Sequence, residues 1–345
     1  MRNQQPTGHK APGRVKISIL VAVYNTEKYL RECLNSLINQ SLKDIQIICI
    51  NDGSTDGSQA ILEEYALKDK RILLLSQKNS GASSARNLGI QYVEGDYVCM
   101  VDSDDYIDKD CLKNSYYQAR KENLDATIFQ LCYFGSNSKF KHNYSDKILS
   151  GKEATLLSLF WSISGIGLFR SSIIKEIKYC TETMNGDELS VRKFFLTCDK
   201  VGFSDGKYFY RQHPDSTTKK FSIKLFDVLE TNIMIRDFLI DKKIYDEIKN
   251  RFEIEVFGSF LASSILFINS QKKLTCEEVE LLNKKFEKAY NSFDFSYLRN
   301  IPIHEKILKK IVLIVSRKSK NYNQLRKIVS PIATLLRLQE KLRSI

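Results

Sequence analysis

Through its first 130 residues the sequence switches repeatedly between two periods, and that switching limits the fold more than any other feature. "KISILVAVY" (16–24) is apolar and rich in β-branched residues, and reads as a strand buried on both faces. Next, Leu30, Cys33, Leu34, Leu37 and Ile38 recur at i, i+3, i+4, i+7 and i+8, the spacing of a helix with one buried side. "DIQIICIND" (44–52), "RILLLSQ" (71–77) and "DYVCMVD" (96–102) are three more strands, with helices expected over Ser58–Lys68 and about Ser83–Val93 between them. Such alternation implies an α/β fold with a mostly parallel sheet and helices on both faces.

After residue 105 the pattern loosens. A helix over 109–121, a strand over 125–134 and a polar loop over 135–150 lead to helical "KEATLLSLFW", the "GIGLFR" segment, a helix about Glu188–Thr197 and strand-like "VGFSDGKYFYRQH". From about 222 the chain reads as helical and lysine-rich, with no further strand. The expected organisation is a flexible tail over 1–14, an α/β domain over 15–220 in two halves (15–110 and 111–220), and a helical basic region over 221–345. Composition agrees with a globular chain: 345 residues, 43% hydrophobic and 27% charged. No uninterrupted apolar run approaches the roughly 18–20 residues of a spanning helix, and "MRNQQPTGHKAPGR" lacks a signal peptide's apolar core, so the expected location is the cytoplasm. Eight scattered cysteines with no C-x-x-C pair are expected to be reduced core residues rather than zinc ligands.

In a parallel sheet of this kind ligands bind beyond the carboxyl ends of the strands. Tyr24-Asn25, Asp52 and Asp102 with Asp104 all fall at such ends. "VDSDDYID" packs Asp102, Asp104, Asp105 and Asp108 into seven positions, where like charges repel unless something cationic faces them. A D-x-D pair at a strand end can present two carboxylates to Mg2+ or Mn2+, which take oxygen ligands and share their coordination sphere with phosphates. Asp105 is expected to support that pair, and Asp108 to cap the helix near 109.

"ILVAVYNTEKYLRECLNSLINQS", "IICINDGSTDGS", "NSGASSARNLGI" and "GDYVCMVDSDDYID", in that order, resemble the nucleotide-sugar domain of family 2 glycosyltransferases, the inverting GT-A type. The likeness runs through about 16–110 and returns at 165–218. It implies a Rossmann-like GT-A domain and a UDP-sugar donor. By motif position Ala22, Tyr24 and Asn25 would line the base and ribose, with Glu27 nearby. Asp52 would accept the imide N–H of uracil, a role suited to an acceptor-only carboxylate. "QKNSGASSARNLG" would pass under the diphosphate, with Gly81 allowing close backbone approach, Arg86 facing phosphate or salt-bridging Asp102, and Asn79 shaping the loop. Asp102 and Ser103 would contact the donor; Asp102, Asp104 and His213 of "YFYRQHPDSTT" would hold Mn2+ or Mg2+ against the leaving diphosphate.

An inverting transfer needs a base for the acceptor hydroxyl. The family places a Glu-Asp pair at the start of a helix; here the order is reversed, Asp187-Glu188, and either residue can be the base, with Asp187 favoured for its shorter side chain. Trp161 and "GLFR" (167–170) lie where relatives form the acceptor pocket, and Trp161 can stack on a sugar or sit in the core. The implied acceptor is a glycan or a lipid-linked glycan, in bacterial surface-polysaccharide assembly.

The last fifty residues carry twelve Lys or Arg against two Glu, most of the net charge of +12. With clustered apolar residues, 303–345 reads as an interfacial helix on an anionic membrane, the inner face of the plasma membrane; an oligomerisation helix or a solvated helical surface stays open. Few aromatics and no known module argue against nucleic acid. Two other readings stay open: a catalytically silent sugar-binding module, and a nucleotidyltransferase, although no Gly-rich triphosphate loop follows the first strand.

Overall fold

The computed structural model of the protein describes residues 14–134, 147–213, 220–293 and 321–331. It divides into two compact units, one of residues 1–182 and 186–220, the other of 183–185 and 221–345. All of the expected tail over 1–14 but Arg14, nearly all of the 135–150 loop and most of the basic stretch over 303–345 lie outside the described residues.

The first unit is built on an eight-stranded sheet: β1 (Ile17–Val23), β2 (Ile45–Asn51), β3 (Ile72–Ser76), β4 (Tyr97–Met100), β5 (Tyr106–Ile107), β6 (Ala126–Phe134), β7 (Gly167–Arg170) and β8 (Val201–Arg211). Their spatial order is β3-β2-β1-β4-β7-β6-β8-β5. Between them run α1 (Glu27–Ile38), α2 (Ser58–Lys68), α3 (Ala82–Ile90), α4 (Cys111–Glu122), α5 (Gly151–Leu159), α6 (Ser171–Ile177) and α7 (Gly186–Thr197). Strand β1 shows why its sequence is continuously apolar. Ile17, Ile19, Val21 and Val23 pack on one face with Leu30, Cys33, Leu34 and Leu37 of α1, while Leu20 packs on the other with Ile48, Val98 and Ala85. Each fully buried leucine here contributes about 2 kcal/mol of transfer free energy.

Strands β1, β2, β3 and β4 pair in parallel, as do β6 and β8. The second half departs from the parallel rule: β7 enters antiparallel between β4 and β6, and β5 runs antiparallel to β8. Periodicity reports which faces of a strand are buried and says nothing of its direction, so the mixed half was not readable. Short β5 and α6 were not anticipated either. Seven cysteines are buried or partly buried, Cys276 is exposed, and all eight are free thiols.

The second unit is helical among its described residues: α8 (Val228–Asp241), α9 (Lys249–Ser270), α10 (Cys276–Asn291) and a helix over 322–331. Phe226, Phe260, Phe267, Phe286 and Tyr322 form its core, with Phe286 and Tyr322 stacked at 4.7 Å. By length and composition Lys249–Lys273 is apolar enough to cross a membrane, although charged and polar residues interrupt its apolar run. Half of its apolar window is buried in this unit, and Glu253 within it makes a buried two-bond pair with Arg236 (2.6 and 2.8 Å). Those are the marks of a core helix.

Candidate functional site

Because β1, β2 and β4 are parallel neighbours, the loops after them share one rim. Ala22 lies within β1 and Tyr24 just past its end, exposed. Asn25 takes a left-handed backbone (φ 52°), and its Oδ1 accepts from Thr55 N (2.8 Å). Glu27 accepts from Gly57 N (2.6 Å) and donates its own N–H to Asp56. Asn25 and Glu27 thus fasten the turn after β2 to the turn after β1. Thr26 reaches the other neighbour, its Oγ1 donating to Ser103, which is buried (3.0 Å).

Asp52 is only 3% exposed. Its carboxylate accepts from Gln77 Nε2 (2.7 Å), Ser80 N and Gly81 N (2.8 Å each), so it pins the loop after β3. A carboxylate has about four acceptor positions, and the expected uracil contact competes with these three donors. Gly81 sits at φ 91° ahead of α3, a conformation that excludes most side chains. Asn79 is exposed, and its backbone N stands 2.8 Å from where a Cβ on Gly53 would lie.

The acidic cluster is divided by its partners. Arg86 Nη2 donates to Asp102 Oδ1 (2.8 Å) and Nη1 stands 3.8 Å from Asp187 Oδ2. Its guanidinium packs over the ring of Tyr179 (5.3 Å). Burial works against the Arg86 charge, yet Asp102, Tyr179 and Asp187 together hold its pKa above the usual range. Asp104 Oδ2 meets His213 Nε2 at 2.9 Å, and its carbonyl accepts from Arg211 Nε. Burial, then repulsion from Asp102, raises the Asp104 carboxyl, with His213 offsetting part of the rise. Asp105 is buried, accepting from Arg211 N (2.7 Å) and Tyr208 Oη (2.8 Å); burial and the Asp102 charge push it up to about 8. Asp108 is not the helix cap. Asp110 holds that position, and Asp108 accepts from Lys207 N (2.6 Å) and Asp110 N, tying β8 to the start of α4.

Asp104 and His213 suit a hard divalent cation. Their oxygen and nitrogen already converge, burial and Asp102 raise the carboxyl where a positive charge would offset them, and with Nδ1 buried, Nε2 is the ring nitrogen that faces the carboxylate. Among the described residues no three His, Cys, Asp or Glu stand together as a preformed cage. Phosphate oxygens and water complete such a shell in many Mg2+ sites.

Asp187 and Glu188 lie within the first turn of α7, which begins at Gly186, two residues ahead of the expected start at Glu188. Asp187 is 46% exposed on its side chain and accepts from Glu188 N at 3.1 Å. Glu188 turns away to Arg192 (3.5 Å), and burial raises its carboxyl more than Arg192 lowers it. Tyr179 and Arg192 were missed from the sequence, where nothing distinguishes them from core or surface residues. Gln77, Tyr208 and Arg211 stood in quoted motifs and were passed over for their neighbours.

The chain matches Glycosyl transferase family 2 over residues 18–178. It is 32% identical over 279 residues to the putative glycosyltransferase EpsH of Bacillus subtilis, covering 74% of this chain and 77% of EpsH. It is 31% identical over 239 residues to glycosyltransferase GlyA of Streptococcus pneumoniae, 64% of this chain but 34% of GlyA, so it spans about a third of that relative. The crystal structure of Staphylococcus aureus TarS 1–349 with UDP-GlcNAc superposes with a TM-score of 0.69 at 20% identity, covering 92% of this chain and 90% of that one; it shares the fold.

Proposed function

The chain belongs to glycosyl transferase family 2, and from that premise we propose that it moves a hexose from a UDP-sugar to a glycan in one inverting displacement. One observation carries the reading: Arg86 joins the donor-side Asp102 to the exposed Asp187 across a single guanidinium. A single displacement needs one base facing the acceptor hydroxyl; Asp102 and Asp187 are equally exposed beside Arg86, and Asp187 is the one more loosely held (3.8 Å against 2.8 Å), which leaves its carboxylate free to take a proton. Glu188 is committed to Arg192, so it orients α7 rather than taking the proton.

Donor binding falls to the rim. Tyr24 offers an exposed ring for the base, Ala22, Asn25 and Glu27 shape the pocket edge, and Asp52 offers uracil its remaining acceptor position. Asn79 and Gly81 bring the loop backbone close to the diphosphate, and Ser103 fixes the turn that aims Asp102. The TarS structure, solved with UDP-GlcNAc on the same fold, supports a UDP-sugar. Asp102, Asp104 and His213 would hold Mn2+ or Mg2+, which supplies neutralisation of the departing diphosphate. Arg86 holds the Asp102 carboxylate in place through its 2.8 Å hydrogen bond.

The catalytic domain in this reading is 15–220. The acceptor is a growing bacterial surface glycan, free or lipid-linked, met at the cytoplasmic face of an anionic membrane through 303–345. The test is UDP release from UDP-glucose, UDP-galactose and UDP-GlcNAc, with and without Mn2+, followed by addition of glycans. Glycan-stimulated release of UDP with Mn2+ is expected; release of pyrophosphate from a nucleotide triphosphate, or no turnover with any donor, would overturn it.

A further inference from the structure

Trp161, the chain's single tryptophan, is 63% exposed. It has not been placed in the core, and its backbone explains why it needs a reason to be there. Helix α5 ends in a Schellman turn: Trp161 N donates to Ser158 O (3.2 Å) and Ser162 N to Leu157 O (3.0 Å). Trp161 occupies the left-handed position of that turn, φ 55°, which helices ordinarily give to glycine. A bulky aromatic residue there is both strained and solvated, and such outliers point to function.

One face of the indole is backed. Arg192 lies over the ring at 5.8 Å and is itself buried. Its Nη2 donates to Ser158 O (3.1 Å), in the same turn, and its Nη1 to Glu188 O (2.7 Å). The ring is therefore backed by a guanidinium that two backbone carbonyls hold in place, while most of the residue stays exposed. Arg192 also stands 3.5 Å from the Glu188 carboxylate, next in sequence to Asp187. A flat, exposed aromatic surface whose backing guanidinium is itself paired with Glu188, the neighbour of the proposed base, suits a sugar ring. The C–H face of a pyranose lies on an indole while its hydroxyls donate to acidic groups at the side.

We propose that Trp161, backed by Arg192, is the platform on which the acceptor's sugar ring stacks. This rests on the transferase reading above and deepens it, because it fixes where the acceptor lies. Placing glycine at residue 161 relieves the backbone while removing the platform, which separates stability from function.

The experiment uses the full chain, UDP release from the best of the three UDP-sugars, and cellotriose, lactose and chitotriose as glycan probes. Trp161→Gly is expected to melt at the same or a higher temperature, to keep its glycan-free hydrolysis of the UDP-sugar, and to lose glycan-stimulated UDP release at least tenfold. Trp161→Phe is expected to retain part of it. In the wild type the stimulating glycan is expected to change tryptophan fluorescence saturably, which no other residue can report. A Trp161→Gly variant with unchanged KM for that glycan, or fluorescence that ignores it, overturns the platform and leaves the transferase intact. If no probe stimulates UDP release by the wild type, the transferase reading fails and the platform falls with it.

Discussion

Crowded carboxylates survive in this site because each meets a different partner. Asp102 has Arg86, Asp104 has His213, and Asp105 is buried against Tyr208 and the Arg211 backbone. Substitutions should therefore separate the cluster by role. Asp104→Ala is expected to weaken Mn2+ binding, read by titration of the metal, by more than the ~10–100-fold typical of outer partners of a metal site; affinity equal to wild type would remove Asp104 from the metal site. Asp187→Asn is expected to keep UDP-sugar binding while slowing transfer about 10²–10⁴-fold. Glu188→Gln should slow it far less, and the reverse ranking would move the base to Glu188. At this scale the sequence disclosed which residues were present but not their assignments: a reversed Asp-Glu pair looks symmetrical until Arg86 is seen beside one member and Arg192 beside the other.

Elements matter here for where they end. The rim works because the turns after β1, β2 and β3 are tied to one another by Asn25, Glu27 and Asp52 rather than by long-range packing. On the opposite side, the α2–β3 turn is closed by Asp69, which accepts from Arg71 Nη2 (2.6 Å) and Nε (3.0 Å). Burial alone would raise the Asp69 carboxyl, yet the Arg71 bonds outweigh it and hold the group below its ordinary 3.8. A folded value depressed in this way stabilises the protein above the unfolded value and is lost as pH falls through the folded one. Asp69→Asn is expected to lower the melting temperature at pH 7, with the gap to wild type closing as pH drops below about 4; a gap constant with pH would assign the loss to packing. Strand and helix existence was legible from period in this half of the chain. Asp108 was misread because an acidic residue near a helix start has two local uses, and only the neighbouring β8 backbone selects between them.

For the molecule as a whole, two units of different construction share one chain. The first buries both faces of a sheet, while the second depends on an aromatic core and a desolvated pair, Arg236–Glu253, further bonded by Tyr245 and Ser292. Removing one member of such a pair leaves a buried charge without its partner. Glu253→Ala is expected to cost the second unit about 3–5 kcal/mol in denaturant unfolding, and replacing both Arg236 and Glu253 by apolar residues should recover most of it. A single-variant loss under 1 kcal/mol would show that the pair is solvated in solution.

The sequence by itself determined the fold class, the positions of the strand ends and the motif residues gathered there, because burial on both faces of a strand forces a pattern that can be read one residue at a time. Family likeness in four ordered motifs came from the same short segments. Strand direction in the second half, the division of the acidic cluster and the fate of Trp161 belong to the tertiary structure. Each depends on partners far apart in sequence: β7 set between β4 and β6, Arg211 against Asp104 and Asp105, Arg192 beneath the indole. A local pattern carries what a residue's own neighbours impose, and a charge or a ring takes its role from whatever the fold brings against it.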